Sequence, residues 1–398
     1  MLALGLAIAI VGYSLFRSGA SHSNARGPGL LQALVLASAV ALIGSLLLPA
    51  AYHGLRRLLG GPAPLISLPP LQFPLGIVLV LAWFGFSGLS QLFFNHPLLT
   101  WFSPPLYLLA IGLPVYGFHR LAAGGILNAS RTRAWGVFGS GMLLGPVLAG
   151  LGELALVGAG LVLTAFYLAF HPELTETFKA LTSEVKLASN MDDLLKAAAP
   201  FALSPFAVGI ALLFFSGLAP ILEEVAKSLS VWILFDRLET PAQGFALGAV
   251  SGAGFALVES LLASITPDSG WGLTLAVRGA SSMMHIFATS LTGLAIATFR
   301  INRKFGPLVG RYTAAIGLHS LWNAAAIFVT FGALRAASNA ERLDLIGVIM
   351  AFLGLFTLAV LSLGIPLAIV IMNGQLRRNA SVEAHGLPGS IDSTQGVK

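Results

Sequence analysis

Apolar residues occur along this chain in blocks of roughly 17 to 25, long enough to cross a bilayer as helices, and polar residues fall mostly between the blocks. About ten runs follow this pattern, near 2–16, 30–54, 73–95, 104–118, 136–170, 201–235, 243–265, 272–299, 311–334 and 345–373. They predict an all-α fold, a polytopic transmembrane bundle of about 9–11 helices. Two runs depart from the simple pattern. The 136–170 run is too long for one plain span and holds Gly145-Pro146, and the 201–235 run carries Pro205 and Pro220. Each is expected as a kinked helix, two segments or a re-entrant element. The first run has its basic residues, Arg17 and Arg26, after it and none before, so it reads as a retained span, not a secretory signal.

The connections add organisation. Only 171–198 is a sizeable polar stretch; it mixes acids with Lys179, Lys186 and Lys196, and its Leu and Phe spacing fits a surface amphipathic helix. The stretch 374–398 opens with Gly374, carries Arg377 and Arg378, and reads as a disordered cytoplasmic tail. The expected division is therefore an N-terminal transmembrane bundle of unassigned role, 1–198, followed by a C-terminal catalytic bundle, 199–373. Composition agrees with the class: charged residues are 10% of 398 and hydrophobic residues 56%, against about 25% charged in a soluble domain. With no long polar stretch, any chemistry belongs to the membrane helices. The absence of cysteine excludes disulfides, thiol catalysis and thiolate metal sites.

The net charge of +6 reads as topology, because the arginines are spread over loops and form no aromatic-interleaved stripe; no nucleic-acid partner is expected. In the C-terminal half, Arg237, Arg300, Arg303, Lys304, Arg311, Arg377 and Arg378 fall on one side against Arg335 and Arg342 on the other, which puts the C-terminus in the cytoplasm. In the N-terminal half, Arg17, Arg26, Lys179, Lys186 and Lys196 balance Arg56, Arg57, Arg120, Arg131 and Arg133, and the rule does not decide.

Inside the apolar runs between 222 and 323 stand Glu223, Glu224, Lys227, Glu259, Arg278, His285, His319 and Asn323. Ionisable groups at membrane depth persist mainly where they pair, conduct or catalyse. Counting rise from the cytoplasmic ends puts Glu223 about 18 Å in, Glu259 about 24 Å, His285 about 21 Å, and His319 and Asn323 about 12 and 18 Å. Four helices thus bring polar groups to overlapping depths, which predicts one polar chamber. Spacing within each helix agrees: Glu223 and Lys227 stand at i and i+4, as do Phe255 and Glu259, and His319 and Asn323. Gly248, Gly252 and Gly254 permit close helix approach. Paired carboxylates beside histidine are suited to activating water and protonating a leaving amine. Arg278 is expected to snorkel to the interface, and Glu153, with no visible partner, to be structural.

Glu223-Glu224-x-x-Lys227, Gly254-Phe255-x-x-x-Glu259, a membrane His285 and His319-x-x-Trp322-Asn323 together resemble the PrsW family of intramembrane proteases. That family is grouped with the CAAX prenyl endopeptidases and bacteriocin-processing enzymes, from which Lys227 and Glu259 depart. The likeness spans about 220–325. It implies a membrane-bound bacterial endopeptidase acting on single-span membrane proteins, anti-sigma factors being one reasonable kind. It makes Glu223 the general base, Glu224 its partner, and His319 with Asn323 the polarising groups; His285 takes the place of the histidine missing from the second motif. Relatives are described both as metalloproteases and as glutamic proteases. The Lys227 cation beside the acids and the absence of His-Glu-x-x-His favour a metal-free glutamic site; were zinc bound, its candidates are Glu223, Glu259, His285 and His319. The competing classes are a proton- or cation-coupled transporter and an inactive membrane scaffold. Oligomeric state is not encoded in these motifs.

Overall fold

The computed structural model describes residues 28–94, 96, 99–171, 176, 179, 183, 203–268, 270–338 and 344–385. Among them are nine helices long and apolar enough to span a membrane, as the apolar runs predict. They are α1 (Pro28–Leu58), α2 (Phe73–Phe94), α3 (Ser103–Ala123), α4 (Arg131–Ala169), α5 (Pro205–Ile233), α6 (Pro241–Ala263), α7 (Trp271–Asn302), α8 (Phe305–Ser338) and α9 (Leu345–His385). The predicted span at 2–16 and most of 171–198 lie outside the described residues.

The two irregular runs resolve differently. Helix α4 is continuous over 39 residues with Pro146 inside it, about 58 Å of helix, longer than a hydrocarbon core of about 30 Å. A lipid-facing break would leave backbone groups without partners, which favours continuity. Helix α5 starts at Pro205 with Ser204 Oγ accepting from Ala207 N at 3.2 Å. It then widens into a π-helical stretch, Leu212–Leu218, just ahead of Pro220. Pro220 has no N–H for the Ser216 carbonyl and its ring crowds that turn, so the wider stretch absorbs the defect. One short element was not expected: an antiparallel ribbon pairing Leu65 with Ser130, Ile66 with Ala129 and Ser67 with Asn128.

The C-terminal helix also corrects the sequence reading. The stretch from 374, expected to be disordered, continues as helix to His385. Asn373 Nδ2 donates to Ala122 O at 2.8 Å and Gly124 O at 2.9 Å, and the Arg377 side chain lies over Gly125, so contacts with the end of α3 hold this turn in helical register. Residues 386–398 lie outside the described part.

Helices α6 and α7 form the centre, with 89% of each apolar window buried against 6% for α4 and 11% for α9. Their backbones touch because glycine lines the seam: a Cβ on Gly248 would run into the Thr289 carbonyl. The other face of α6 meets α4, where a Cβ on Gly254 would lie 2.5 Å from Phe138 O. Helix α4 therefore packs directly on α6, and Gly152 brings it onto Leu222 of α5. The loop after α1, the start of α4 and the turn after α5 meet around one cavity lined by Arg57, Arg133 and Arg237. The N-terminal loops carrying Arg57 and Arg133 are thus on the same face as the C-terminal turn carrying Arg237.

Candidate active site

The second half of α5, starting beyond Pro220, carries Glu223, Glu224 and Lys227 inward, and all three are buried. Ser251 Oγ of α6 donates to Lys227 O at 2.6 Å and Ser228 Oγ meets Tyr312 Oη of α8 at 2.6 Å, which fixes the turn between its neighbours. Helix α6 starts cleanly at Pro241, with Thr240 Oγ1 accepting from Gln243 N at 3.1 Å and Gln243 Oε1 accepting from Glu239 N at 2.8 Å. It delivers Phe255 and Glu259, while α7 delivers Arg278 and His285, and α8 delivers His319 and Asn323.

The chamber predicted from helical rise is present. The Lys227 ammonium donates to Glu224 Oε1 at 2.9 Å and lies 2.9 Å from Glu223 Oε2 and 2.8 Å from His285 Nδ1. The Phe255 ring completes its surroundings at 4.2 Å. An ammonium has only donors, so His285 Nδ1 must accept and its proton sits on Nε2. That nitrogen lies 2.7 Å from Glu259 Oε2, and Arg278 Nη2 holds the other Glu259 oxygen at 2.5 Å. His319 repeats the pattern: Nδ1 donates to Glu224 Oε1 at 3.0 Å, leaving the Nε2 lone pair 3.8 Å from Glu223 Oε2. The contacts to Glu223 Oε2 and Glu259 Oε2 are close but off-axis, since neither oxygen receives an aligned hydrogen bond.

Glu223 Oε2, His285 Nδ1 and His319 Nε2 therefore converge as acceptors. Glu223, His285 and His319 can offer ligand atoms all within 4.8 Å of one another, with Glu223 Oε2 4.0 Å from His285 Nδ1 and 3.8 Å from His319 Nε2. A tetrahedral ion with bonds of about 2.0–2.1 Å wants ligand atoms about 3.3–3.5 Å apart, so the three side chains would have to close up around it. Each histidine has its outer nitrogen on a carboxylate, the arrangement that orients metal-bound imidazoles. The donor set fits a catalytic metal in number and kind, provided the Lys227 ammonium, 2.9 Å from Glu223 Oε2 and 2.8 Å from His285 Nδ1, gives up those two atoms to the ion. Glu259 falls outside it, contrary to its place among the zinc candidates, because Arg278 and His285 engage its two oxygens.

Asn323 stands one turn beyond His319 and donates Nδ2 to Phe215 O of the π-helical stretch at 2.8 Å. Two residues have places the sequence reading did not give them. Arg278, expected to snorkel, is the Glu259 partner; both stand near the ends of α6 and α7 that face the same loop, a depth match that could have found the pair. Glu153, on α4 beside the Gly152–Leu222 contact, feels the charges of Glu223, Glu259 and Lys227. The expectation that Glu153 is structural and without a partner follows from its place in the N-terminal run, which gives no sign that α4 packs against α5 and α6.

A family model described as PrsW family intramembrane metalloprotease matches residues 129–359, more than half of the chain and all of this cluster. No curated protein and no solved structure matches the chain.

Proposed function

The chain belongs to the PrsW family of intramembrane proteases, and from that premise we propose that it is a metal-assisted endopeptidase hydrolysing a peptide bond of a membrane-spanning protein. The carrying observation is the paired support of two histidines, each with its outer nitrogen on a carboxylate and its inner nitrogen toward Glu223 Oε2. Glu223, His285 and His319 would hold the ion. When bound, a divalent metal such as zinc supplies a water acidic enough to attack near neutral pH. Glu259 and Glu224 keep the imidazoles in the ligating tautomer, and Arg278 anchors Glu259. Glu224 Oε2 is buried without a hydrogen-bond partner and is suited to accept the water proton and return it to the leaving amine. By the family likeness His319 and Asn323 are the residues proposed to polarise the substrate carbonyl, although the Asn323 amide here donates to the Phe215 carbonyl.

A metal-free glutamic mechanism is the second reading, favoured by Lys227: its ammonium already supplies a cation to Glu223, Glu224 and His285. In that case Glu223 and Glu224 alone activate the water. The proposed substrate is a single-span signalling protein of the anti-sigma-factor kind, by the family likeness. The proposed location is a bacterial plasma membrane with the arginine-rich face and C-terminus in the cytoplasm.

The test combines cleavage with metal content. Purified wild type, Glu223→Gln and His285→Ala/His319→Ala are reconstituted with a library of single-span proteins, and new termini are read by mass spectrometry. Cleavage by wild type is expected to fall about 10³-fold or more in both variants. Elemental analysis is expected to find about one zinc per wild-type chain and none in the double variant. Chelator-washed, metal-free protein that still cleaves would sink the metal reading and leave the glutamic one. Equal cleavage by Glu223→Gln would remove this site from the reaction.

A further inference from the structure

The cavity at the arginine-rich face is separate from the catalytic chamber and has a volume of about 470 Å³. Arg57 reaches it from the last turn of α1, Arg133 from the first turn of α4 and Arg237 from the turn after α5. Among the described residues none of the three is ion-paired with an acid. Hydroxyls of Ser140 and Ser230 also line it. The positive-inside tendency explains arginines on one face. It does not explain three from separate elements lining one cavity, a set of donors without an acid among them.

We propose that this cavity binds the phosphate of an anionic phospholipid. Guanidinium forks match phosphate oxygens bidentately, and basic pockets between transmembrane helices are known headgroup sites. The remaining wall identifies the source of the phosphate. Leu144 and Ile233 also line the cavity and are 42% and 67% exposed on the outer surface of the bundle, so the polar end opens onto the surface that lipid chains cover. A headgroup at the arginines with a chain along Leu144 and Ile233 fills both parts; free phosphate would fill only one. The site is also joined to the catalytic helix. Ser230 Oγ donates to Ser251 Oγ at 3.0 Å, and Ser251 Oγ donates to Lys227 O at 2.6 Å. A bound headgroup braces the turn that carries Glu223, Glu224 and Lys227.

The experiment is native mass spectrometry of the full chain, delipidated and titrated separately with phosphatidylglycerol, phosphatidylcholine and inorganic phosphate. Wild type is compared with the cavity triple Arg57→Gln/Arg133→Gln/Arg237→Gln and with Arg131→Gln/Arg303→Gln/Lys304→Gln, which removes equal charge from the same face outside the cavity. Wild type is expected to bind one phosphatidylglycerol roughly tenfold or more tighter than phosphatidylcholine, the cavity triple to lose that preference, and the control triple to keep it. Should the cavity triple not fold, Arg133→Gln alone is expected to weaken phosphatidylglycerol about threefold or more. Equal loss in both triples, or no preference in wild type, overturns the site. Inorganic phosphate binding as tightly as the lipid overturns the lipid assignment.

Discussion

The charges at the centre of this bundle and those on its arginine-rich face are made of the same side chains in opposite circumstances. At the centre, Glu223, Glu224, Lys227, Glu259, Arg278, His285 and His319 form one connected set with contacts of 2.5 to 4.0 Å. At the face, Arg57 and Arg237 are exposed, and neither they nor Arg133 take part in such a set among the described residues. Inside, Glu224, Lys227, His285 and His319 are buried and each charge depends chiefly on its protein partner. At the face, water and headgroups do that work. The difference teaches where a substitution is expected to act on folding and where only on affinity.

The sharpest way to break the comparison is Lys227→Met. It removes the cation that Glu223 and Glu224 share, leaving two carboxylates together in an apolar interior. The expected cost is about 3–5 kcal/mol of stability, with cleavage lost. Thermal unfolding in detergent measures it against Lys304→Met, a residue exposed on the face, expected to stay within about 0.5 kcal/mol. If both variants melt with the wild type, the central set is not holding the helices together.

Much of this centre was legible because polar residues in membrane helices are few and helical rise converts position into depth. Depth counted that way places Glu223, Glu259, His285 and His319 together, as found; it places Asn323 with them too, whereas its amide is held by the Phe215 carbonyl. The close helix approach at Gly248 and Gly254 was legible as well. Hydropathy could not say which spans lie inside, because a lipid-facing helix and a buried one are equally apolar; α4 and α6 look alike in sequence and differ in burial from 6% to 89% of their windows. For the same reason Glu153 was set apart from the site it adjoins. The ribbon of 65–67 with 128–130 was unreadable because three-residue strands carry no usable period. The reach of Lys227 to His285, a contact across 58 positions, follows only from how α5 packs against α7.

Asn323→Ala sharpens the comparison within one helix, since His319 and Asn323 lie one turn apart on α8 but have different partners. His319 is tied to Glu224, whereas Asn323 clasps the Phe215 carbonyl in the π-helical stretch. As a clasp, Asn323 is a positioning residue, and its loss is expected to slow cleavage by roughly tenfold or less, the scale of one hydrogen bond worth about 1 kcal/mol. A true oxyanion donor would cost about 10²–10³ in kcat. Measured kcat and KM decide: a larger fall confined to kcat would return Asn323 to the reacting carbonyl, while a change shared with KM would place it at substrate entry.

The smallest expected effect belongs to a pair at the end of the bundle opposite the arginine-rich face. Asp344 accepts from Gly347 N at 3.1 Å at the start of α9, and Arg335 Nε of α8 lies 2.6 Å from its other oxygen. The Gly347 hydrogen bond first, then the Arg335 charge, hold the Asp344 carboxyl below its usual range. A carboxyl lowered in the folded state contributes stability above its unfolded pKa, about 3.9, and loses it as pH falls through the lower folded value. Wild type is therefore expected to lose a little more stability than Asp344→Ala between pH 5 and the acid limit, with the two differing by a constant amount near neutrality. Thermal unfolding of both across that range reads the difference directly. Because water can take over from Arg335 and Gly347 at this edge, the loss should be far below that of Lys227→Met. An edge pair costing as much as the central lysine would mean that burial is not what separates the two kinds of charge.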